Sequence, residues 1–131
     1  MPDYSDKEAK AGLHVELPAI ETFANQFPDY EIKIENPEFT SVCPKSGLPD
    51  FGTLYIRYVP KDRCLELKSL KMYLLAYRNL GIFYENAVNR ILEDIVRACQ
   101  PVRASVRGEF LPRGGMKSVI EAQFPRRVES G

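Results

Sequence analysis

Apolar and polar residues change period along this chain, and the changes mark its elements. Glu31-Ile32-Lys33-Ile34-Glu35 alternates, which predicts a strand with Ile32 and Ile34 turned inward. Thr53-Leu54-Tyr55-Ile56-Arg57-Tyr58-Val59 does the same with Leu54, Ile56 and Tyr58 on one face, and Pro60 and Asp62 mark the turn after it. Cys64-Leu65-Glu66-Leu67 reads as short and extended. From Lys68 the period lengthens. Leu70, Tyr73, Leu74 and Tyr77 recur at helical spacing, and Asn79 and Gly81 supply a stop. A second helix is predicted from Phe83 to Cys99, with Val88, Ile91, Leu92, Ile95, Val96 and Cys99 as its apolar stripe and Arg90, Glu93, Asp94 and Arg97 opposite. Pro101 ends it. Val102 to Phe110 alternates strictly, Pro112-Arg113-Gly114-Gly115 turns the chain, and Met116 to Phe124 is the last strand.

The order β-β-α-α-β-β describes an α+β fold, an antiparallel sheet with both helices on one face. Residues 1–27 carry no clear period. Residues 1–30 are expected to form an irregular or briefly helical N-terminal arm ahead of a single domain over 31–131. A small sheet covered on one face still has open edges. Closure of several copies into a ring satisfies those edges and brings loops of adjacent subunits together.

Composition narrows the function classes. A chain of 131 residues with 44% hydrophobic content can build a packed core. No apolar run approaches a membrane span, and Met1 to Gly12 is polar and charged, unlike a signal peptide. The expected setting is intracellular and cytoplasmic, without a membrane partner. Eighteen basic residues cancel eighteen acidic ones, which argues against a direct nucleic-acid partner and for a small-molecule ligand. Cys43, Cys64 and Cys99 form no C-x-x-C pair, so no disulfide framework is expected. A tetrahedral zinc would need all three cysteines plus His14, the single histidine, from scattered positions; no metal is expected.

The chemistry concentrates in Phe39-Thr40-Ser41-Val42-Cys43-Pro44-Lys45-Ser46-Gly47-Leu48-Pro49-Asp50-Phe51. Pro44, Gly47 and Pro49 impose a bend that can bring the thiol of Cys43 near the carboxyl of Asp50. A lone cysteine is often a small core hydrophobe, as Cys99 is on its stripe and Cys64 in its structural setting. Cys43 instead sits in a loop beside Lys45, a cation that favours the thiolate nucleophile. Asp50 can tighten the turn after Pro49, or serve as a general acid where burial or a neighbouring anion keeps it protonated. Glu66-Leu67-Lys68-Ser69-Leu70-Lys71-Met72-Tyr73 opens the first helix. Lys68 and Lys71 share a face. They are either a solvated basic surface or a phosphate clamp aided by the helix's free N–H groups, with Arg113 a further candidate. Glu85, in the first turn of the second helix, can favour the dipole or accept two hydrogen bonds from a guanine-like edge, with Phe83 stacking on the ring.

Together these segments, with Tyr77-Arg78-Asn79 and Pro112-Arg113-Gly114-Gly115, resemble the NADPH-dependent 7-cyano-7-deazaguanine reductases of queuosine biosynthesis, in the short single-domain branch. The match runs from about Asn36 to Met116, and the Glu-Leu-Lys-Ser-x-Lys-x-Tyr segment is its most specific part. The resemblance implies a tunnelling fold (T-fold) whose subunits form a ring around a barrel of strands, here a decamer of two stacked pentamers. It implies four-electron reduction of a nitrile to a primary amine by two NADPH, with Cys43 as the nucleophile that forms a thioimide and Asp50 as proton donor. It places Glu85, with Glu66 as a second contact, on the deazaguanine edge, and Lys68, Ser69 and Lys71 on NADPH. The family commonly has Phe-His-Glu where this chain reads Phe83-Tyr84-Glu85. Tyr84 can donate a hydrogen bond but, with an unperturbed pKa of about 10, does not replace an imidazole as a neutral-pH acid–base.

Three other readings stand beside this one. A hydrolase like GTP cyclohydrolase I shares the fold but needs zinc held by cysteine and histidine. Related archaeal enzymes form an amidine on the nitrile base within tRNA and lack the Glu-Leu-Lys-Ser segment. A non-catalytic deazapurine-binding protein would bind the base without an adduct on Cys43.

Overall fold

The structure, a computed structural model, describes residues 6–126; residues 1–5 of the expected arm and 127–131 of the expected domain lie outside them. In chain order the elements are α1 (Asp6–Ala9), β1 (Thr22–Ala24), β2 (Ile32–Val42), β3 (Pro49–Val59), β4 (Arg63–Leu65), α2 (Leu67–Leu75) with a 3-10 turn over Ala76–Asn79, α3 (Tyr84–Cys99), β5 (Arg103–Arg113) and β6 (Met116–Phe124). Two long hairpins make one antiparallel sheet in the order β2-β3-β5-β6. The helical segments cover one face, with α3 across β5 and β6 and the 3-10 turn against β2. The predicted α+β arrangement is the one observed.

Alternation dictates which face is covered. Leu54, Ile56 and Tyr58 of β3 and Ala104, Val106 and Phe110 of β5 are all buried. They meet Leu70, Tyr73, Leu74 and Tyr77 from the first helical segment and Val88, Ile91, Leu92 and Ile95 from α3. The opposite face stays wet and carries ion pairs such as Arg107–Glu109 and Lys117–Glu109.

Four differences from the sequence reading have physical causes. The strand expected at Glu31–Glu35 continues to Val42, because the register shifts between Asn36 and Phe39 and absorbs Pro37 in a bulge. β4 pairs with β1, a strand in the expected arm that is too short to show a period. The first helix does not run unbroken to Asn79. It tightens into the 3-10 turn, and Gly81 then pairs with Val42 in parallel, with Val42 N donating to Leu80 O (3.0 Å) and Ile82 N to Val42 O (2.9 Å). Finally, Arg90 and Asp94 are not on a solvated side. Arg90 donates to Gly12 O and Val15 O and pairs with Asp94, while Asn86 Nδ2 donates to Ala9 O at 2.7 Å. These bonds dock the arm on α3.

Candidate active site

The β2–β3 hairpin turns over Cys43–Leu48 alone. Cys43 N donates to Leu48 O and Gly47 N to Cys43 O, each at 2.9 Å, with Gly47 at φ 73°, a conformation glycine adopts freely. Asp50 is the second residue of β3, so the strand fixes it beside the turn that carries Cys43. The bend expected from Pro44, Gly47 and Pro49 is present and brings the two ends together.

The thiol of Cys43 is partly exposed. Burial is the largest single influence and acts to raise its pKa. The hydroxyl and N–H of Ser46 and the N–H of Lys45 stabilise the thiolate and outweigh it, and the Asp50 charge pulls back, so the net direction is downward. Ser46 N lies 3.5 Å from Sγ. Lys45, anticipated as the activating neighbour, contributes through its backbone N–H.

Asp50 is only 5% exposed; its Oδ1 accepts from the Tyr84 hydroxyl at 2.9 Å and is ion-paired with the Arg113 guanidinium, whose Nε lies 3.0 Å away. Register explains Arg113. Gly52 pairs with Phe110, so the following residues of β5 run back alongside Pro49, and Arg113 Nη2 donates to Pro49 O at 3.2 Å. A second irregularity between Phe110 and Arg113 takes up Pro112, and Gly114-Gly115 completes a two-residue turn at positive φ.

Packing explains Tyr84. A Cβ on Gly52 or Gly108 would come within 2.8 Å of the Phe110 ring, so two glycines leave a bare patch that this ring covers. Tyr84 stacks on the other side of the ring, with centroids 3.9 Å apart and planes at 12°. Burial, then the hydrogen bond to Asp50 and its charge, push the Tyr84 phenol up to about 12. Tyr84 therefore keeps its proton near neutral pH and acts as a donor to Asp50.

Directly across the ladder from Asp50 stands Ser41, wholly buried, whose hydroxyl has no hydrogen-bond partner. Leaving a buried hydroxyl unpaired costs about 1–3 kcal/mol. The sequence reading gave it no part, although a serine on the covered face of an otherwise apolar strand end was the available signal.

The α2 segment is arranged differently from expectation. Glu66 is the N-cap of α2, its Oε2 accepting from Lys68 N at 2.7 Å and its Oε1 from Ser69 N at 2.8 Å. Those N–H donations hold its pKa below the ordinary carboxylate range. The helix start therefore does not offer these two N–H groups to a phosphate, which corrects that part of the sequence reading. Each Glu66 oxygen still has a second lone pair for an outside donor. Ser69 turns inward, its hydroxyl donating to Glu66 O at 3.0 Å and accepting from Glu21 N at 2.8 Å. Lys68 is exposed. Lys71 lines a groove of about 680 Å³ between β2 and α2, with Arg78, Leu67, Leu74, Leu75 and Phe51. Glu35 and Glu38 line it as well, so two carboxylates share an otherwise largely apolar surface with two cations. Arg113 does not line this groove; the structure gives it to Asp50. Glu85 is exposed at the start of α3, and with His14, Asn89 and Arg90 it lines an open hollow of about 540 Å³. Phe83 is the half-buried N-cap residue of α3 and makes no side-chain cap.

Cys99 is buried in the core, where burial raises its thiol to about 11, and Cys64 is buried within reach of Tyr30 and Asn25. Among the described residues, no three His, Cys, Asp or Glu side chains gather as a metal ion would require, and no helix is long and apolar enough to cross a membrane.

Comparison with known proteins places this geometry in context. The family model described as QueF-like protein matches residues 49–129. The NADPH-dependent 7-cyano-7-deazaguanine reductase of Elusimicrobium minutum is 55% identical over 125 residues, covering 95% of each chain. The protein of that name from Chlorobaculum tepidum is 56% identical over 112 residues, 84% of this chain and 96% of its own. The crystal structure of an archaeosine synthase QueF-Like in the apo form superposes with a TM-score of 0.68, covering 75% of this chain and 95% of that one. At 22% identity it speaks to the fold alone.

Proposed function

The chain belongs to the QueF-like family, and from that premise we propose that it reduces the nitrile of 7-cyano-7-deazaguanine to the primary amine of 7-aminomethyl-7-deazaguanine, using two NADPH, in the queuosine pathway. The observation that carries the reading is the shared corner of Cys43 and Asp50, a thiol biased toward thiolate beside a carboxyl held by Tyr84 and Arg113.

A nitrile carbon resists direct hydride addition. The Cys43 thiolate adds to it: the S–C bond forms, one π bond of the nitrile breaks, and its electron pair moves to nitrogen, which takes the proton of Asp50. The product is a thioimide, a better hydride acceptor. NADPH, when bound, supplies the hydride for each of the two reductions. Cys43 leaves as thiolate between them, giving an imine that is reduced to the amine. Tyr84 and Arg113 fix the carboxyl that delivers the proton. Lys71 and Arg78, on the groove between β2 and α2, are the cations placed to hold the dinucleotide's phosphates, with Lys68 flanking them. Glu85, with Glu66 as a second contact, accepts from the N–H edge of the base, and Phe83 flanks it.

The acting form is a homo-oligomer, a decamer of two stacked pentamers in the cytoplasm. The supporting feature is the sheet's two unpaired edges, along β2 before Val42 and along β6. The substrate is the free base rather than tRNA, in keeping with a net charge of zero.

The test is direct. Purified protein is mixed with 7-cyano-7-deazaguanine and NADPH, and absorbance at the NADPH band is followed with product analysis. Consumption of two NADPH per amine formed is the expected result. No consumption in the presence of both reactants removes the reductase assignment.

A further inference from the structure

Among the described residues, the Ser41 hydroxyl is the one buried side-chain oxygen or nitrogen without a hydrogen-bond partner. The residue is wholly buried within the single chain, so neither bulk water nor a neighbouring subunit supplies the missing partner. Alanine would fill the same space with no polar group to satisfy. In the β2–β3 ladder Ser41 stands directly opposite Asp50. Directly opposed residues of an antiparallel pair share a face and put their Cβ atoms about 5 Å apart. Both are buried here, while Phe51, on the other face, is half exposed.

Asp50 changes state in the proposed chemistry, and the groups around it do not serve both states equally. The charged and titratable groups facing it are Arg113 from β5, Tyr84 from α3 and Cys43 from the hairpin turn. Arg113 can only donate, and the Tyr84 hydroxyl, which could also accept, is committed here to donating to the same Oδ1. A carboxylic acid about to give up its proton needs an acceptor until the substrate nitrogen arrives. A serine hydroxyl serves either state, accepting from the acid and donating to the carboxylate.

We propose that Ser41 is a positioning residue for Asp50: its hydroxyl, unpaired in the resting structure, turns to hydrogen-bond the carboxyl and aim it as it gains and loses the transferred proton. The inference rests on the reductase reading and adds to it the residue that holds the acid. No new reactant enters. The proton goes from Asp50 to the nitrile nitrogen as the Cys43 sulfur adds to carbon, and Asp50 takes up a proton again before the next addition.

The test compares the full chain with Ser41→Ala and Ser41→Thr. It measures steady-state NADPH consumption with 7-cyano-7-deazaguanine, the KM for the base, and thermal stability. In Ser41→Ala, kcat is expected to fall about tenfold or more, a share of what a positioned proton donor contributes. KM for the base should change little. The Tm should hold or rise, since the hydroxyl is unpaired in the resting structure. Ser41→Thr, which keeps the hydroxyl, should return the wild-type kcat. Wild-type kcat in Ser41→Ala, with a raised Tm, would make the hydroxyl a passive core group and overturn the proposal. A raised KM with kcat unchanged would assign the hydroxyl to the substrate instead and also overturn it. Failure of the reductase reading is seen separately, as a wild-type chain that consumes no NADPH, and it removes this inference as well.

Discussion

At the start of α2, Glu66 folds its carboxylate over the N–H groups of Lys68 and Ser69, and Ser69 returns a bond to the Glu66 carbonyl. At the start of α3, Phe83 makes no side-chain cap, and the first turn presents Tyr84 inward to Asp50 and Glu85 outward to solvent. Both helix starts lie in recognisable motifs. One closes on itself and joins α2 to β4 and, through Glu21, to the arm. The other leaves its polar side chains directed at the hairpin and at open space. A motif's specificity as a signature therefore does not say whether its side chains meet a ligand or meet each other. In this chain the Glu66–Ser69 segment does much of the latter, while the Tyr84 turn is aimed at Asp50 beside the hairpin turn.

The contrast can be broken by substitution. Asp50→Asn keeps the shape but cannot carry the proton, so turnover should fall by about 10²–10⁴ with the base still bound; near-wild-type rates in a steady-state assay would take Asp50 out of the acid role. Tyr84→Phe retains the ring on Phe110 and removes only the hydroxyl that holds Asp50. Turnover should fall by roughly tenfold at an unchanged Tm, and a large loss of Tm without loss of rate would reduce Tyr84 to packing. Glu66→Ala acts on the other helix start. Loss of the cap should lower the Tm by a few degrees in a melting experiment, and an unchanged Tm with a raised KM for the base would make Glu66 chiefly a ligand contact. The smallest effect concerns pH. Hydrogen bonds to Sγ keep Cys43 as thiolate to lower pH than a free cysteine. The rate of its alkylation should therefore reach half its plateau at a lower pH than that of a free cysteine in the same buffer, and decline only as pH falls through that lowered value. A midpoint above that of the free thiol would mean that burial prevails.

Much of the frame was legible because it repeats. The alternation buries Leu54, Ile56 and Tyr58 as predicted, the stripe from Val88 to Cys99 is buried except for Val96, which is only partly so, and β6 has the predicted ends. What escaped does not repeat. β1 is three residues long and carries no period, so the partner of the short extended segment at β4 was not visible, and the bulge at Pro37 let β2 continue past Glu35, where the alternation ended. In the site, the bend between Cys43 and Asp50 followed from local turn chemistry. Arg113 did not, because its place beside Asp50 depends on the β3–β5 register and on the irregularity at Pro112, which join residues far apart in sequence. Tyr84 was visible as a departure from the family's pattern. Its bond to Asp50 was not, since that depends on Phe110 filling the space left by Gly52 and Gly108. The capping role of Glu66 was open to sequence reasoning, because an acceptor two and three residues ahead of helical N–H groups is a cap signal.

The central claim is that Cys43 is the nucleophile of this corner. It is tested most directly by intact mass spectrometry of the protein incubated with 7-cyano-7-deazaguanine before NADPH is added. The account predicts a mass increase of one substrate per chain in the wild type, located at Cys43 and missing in Cys43→Ala. An unmodified wild-type chain, or an adduct that persists in Cys43→Ala, would contradict it.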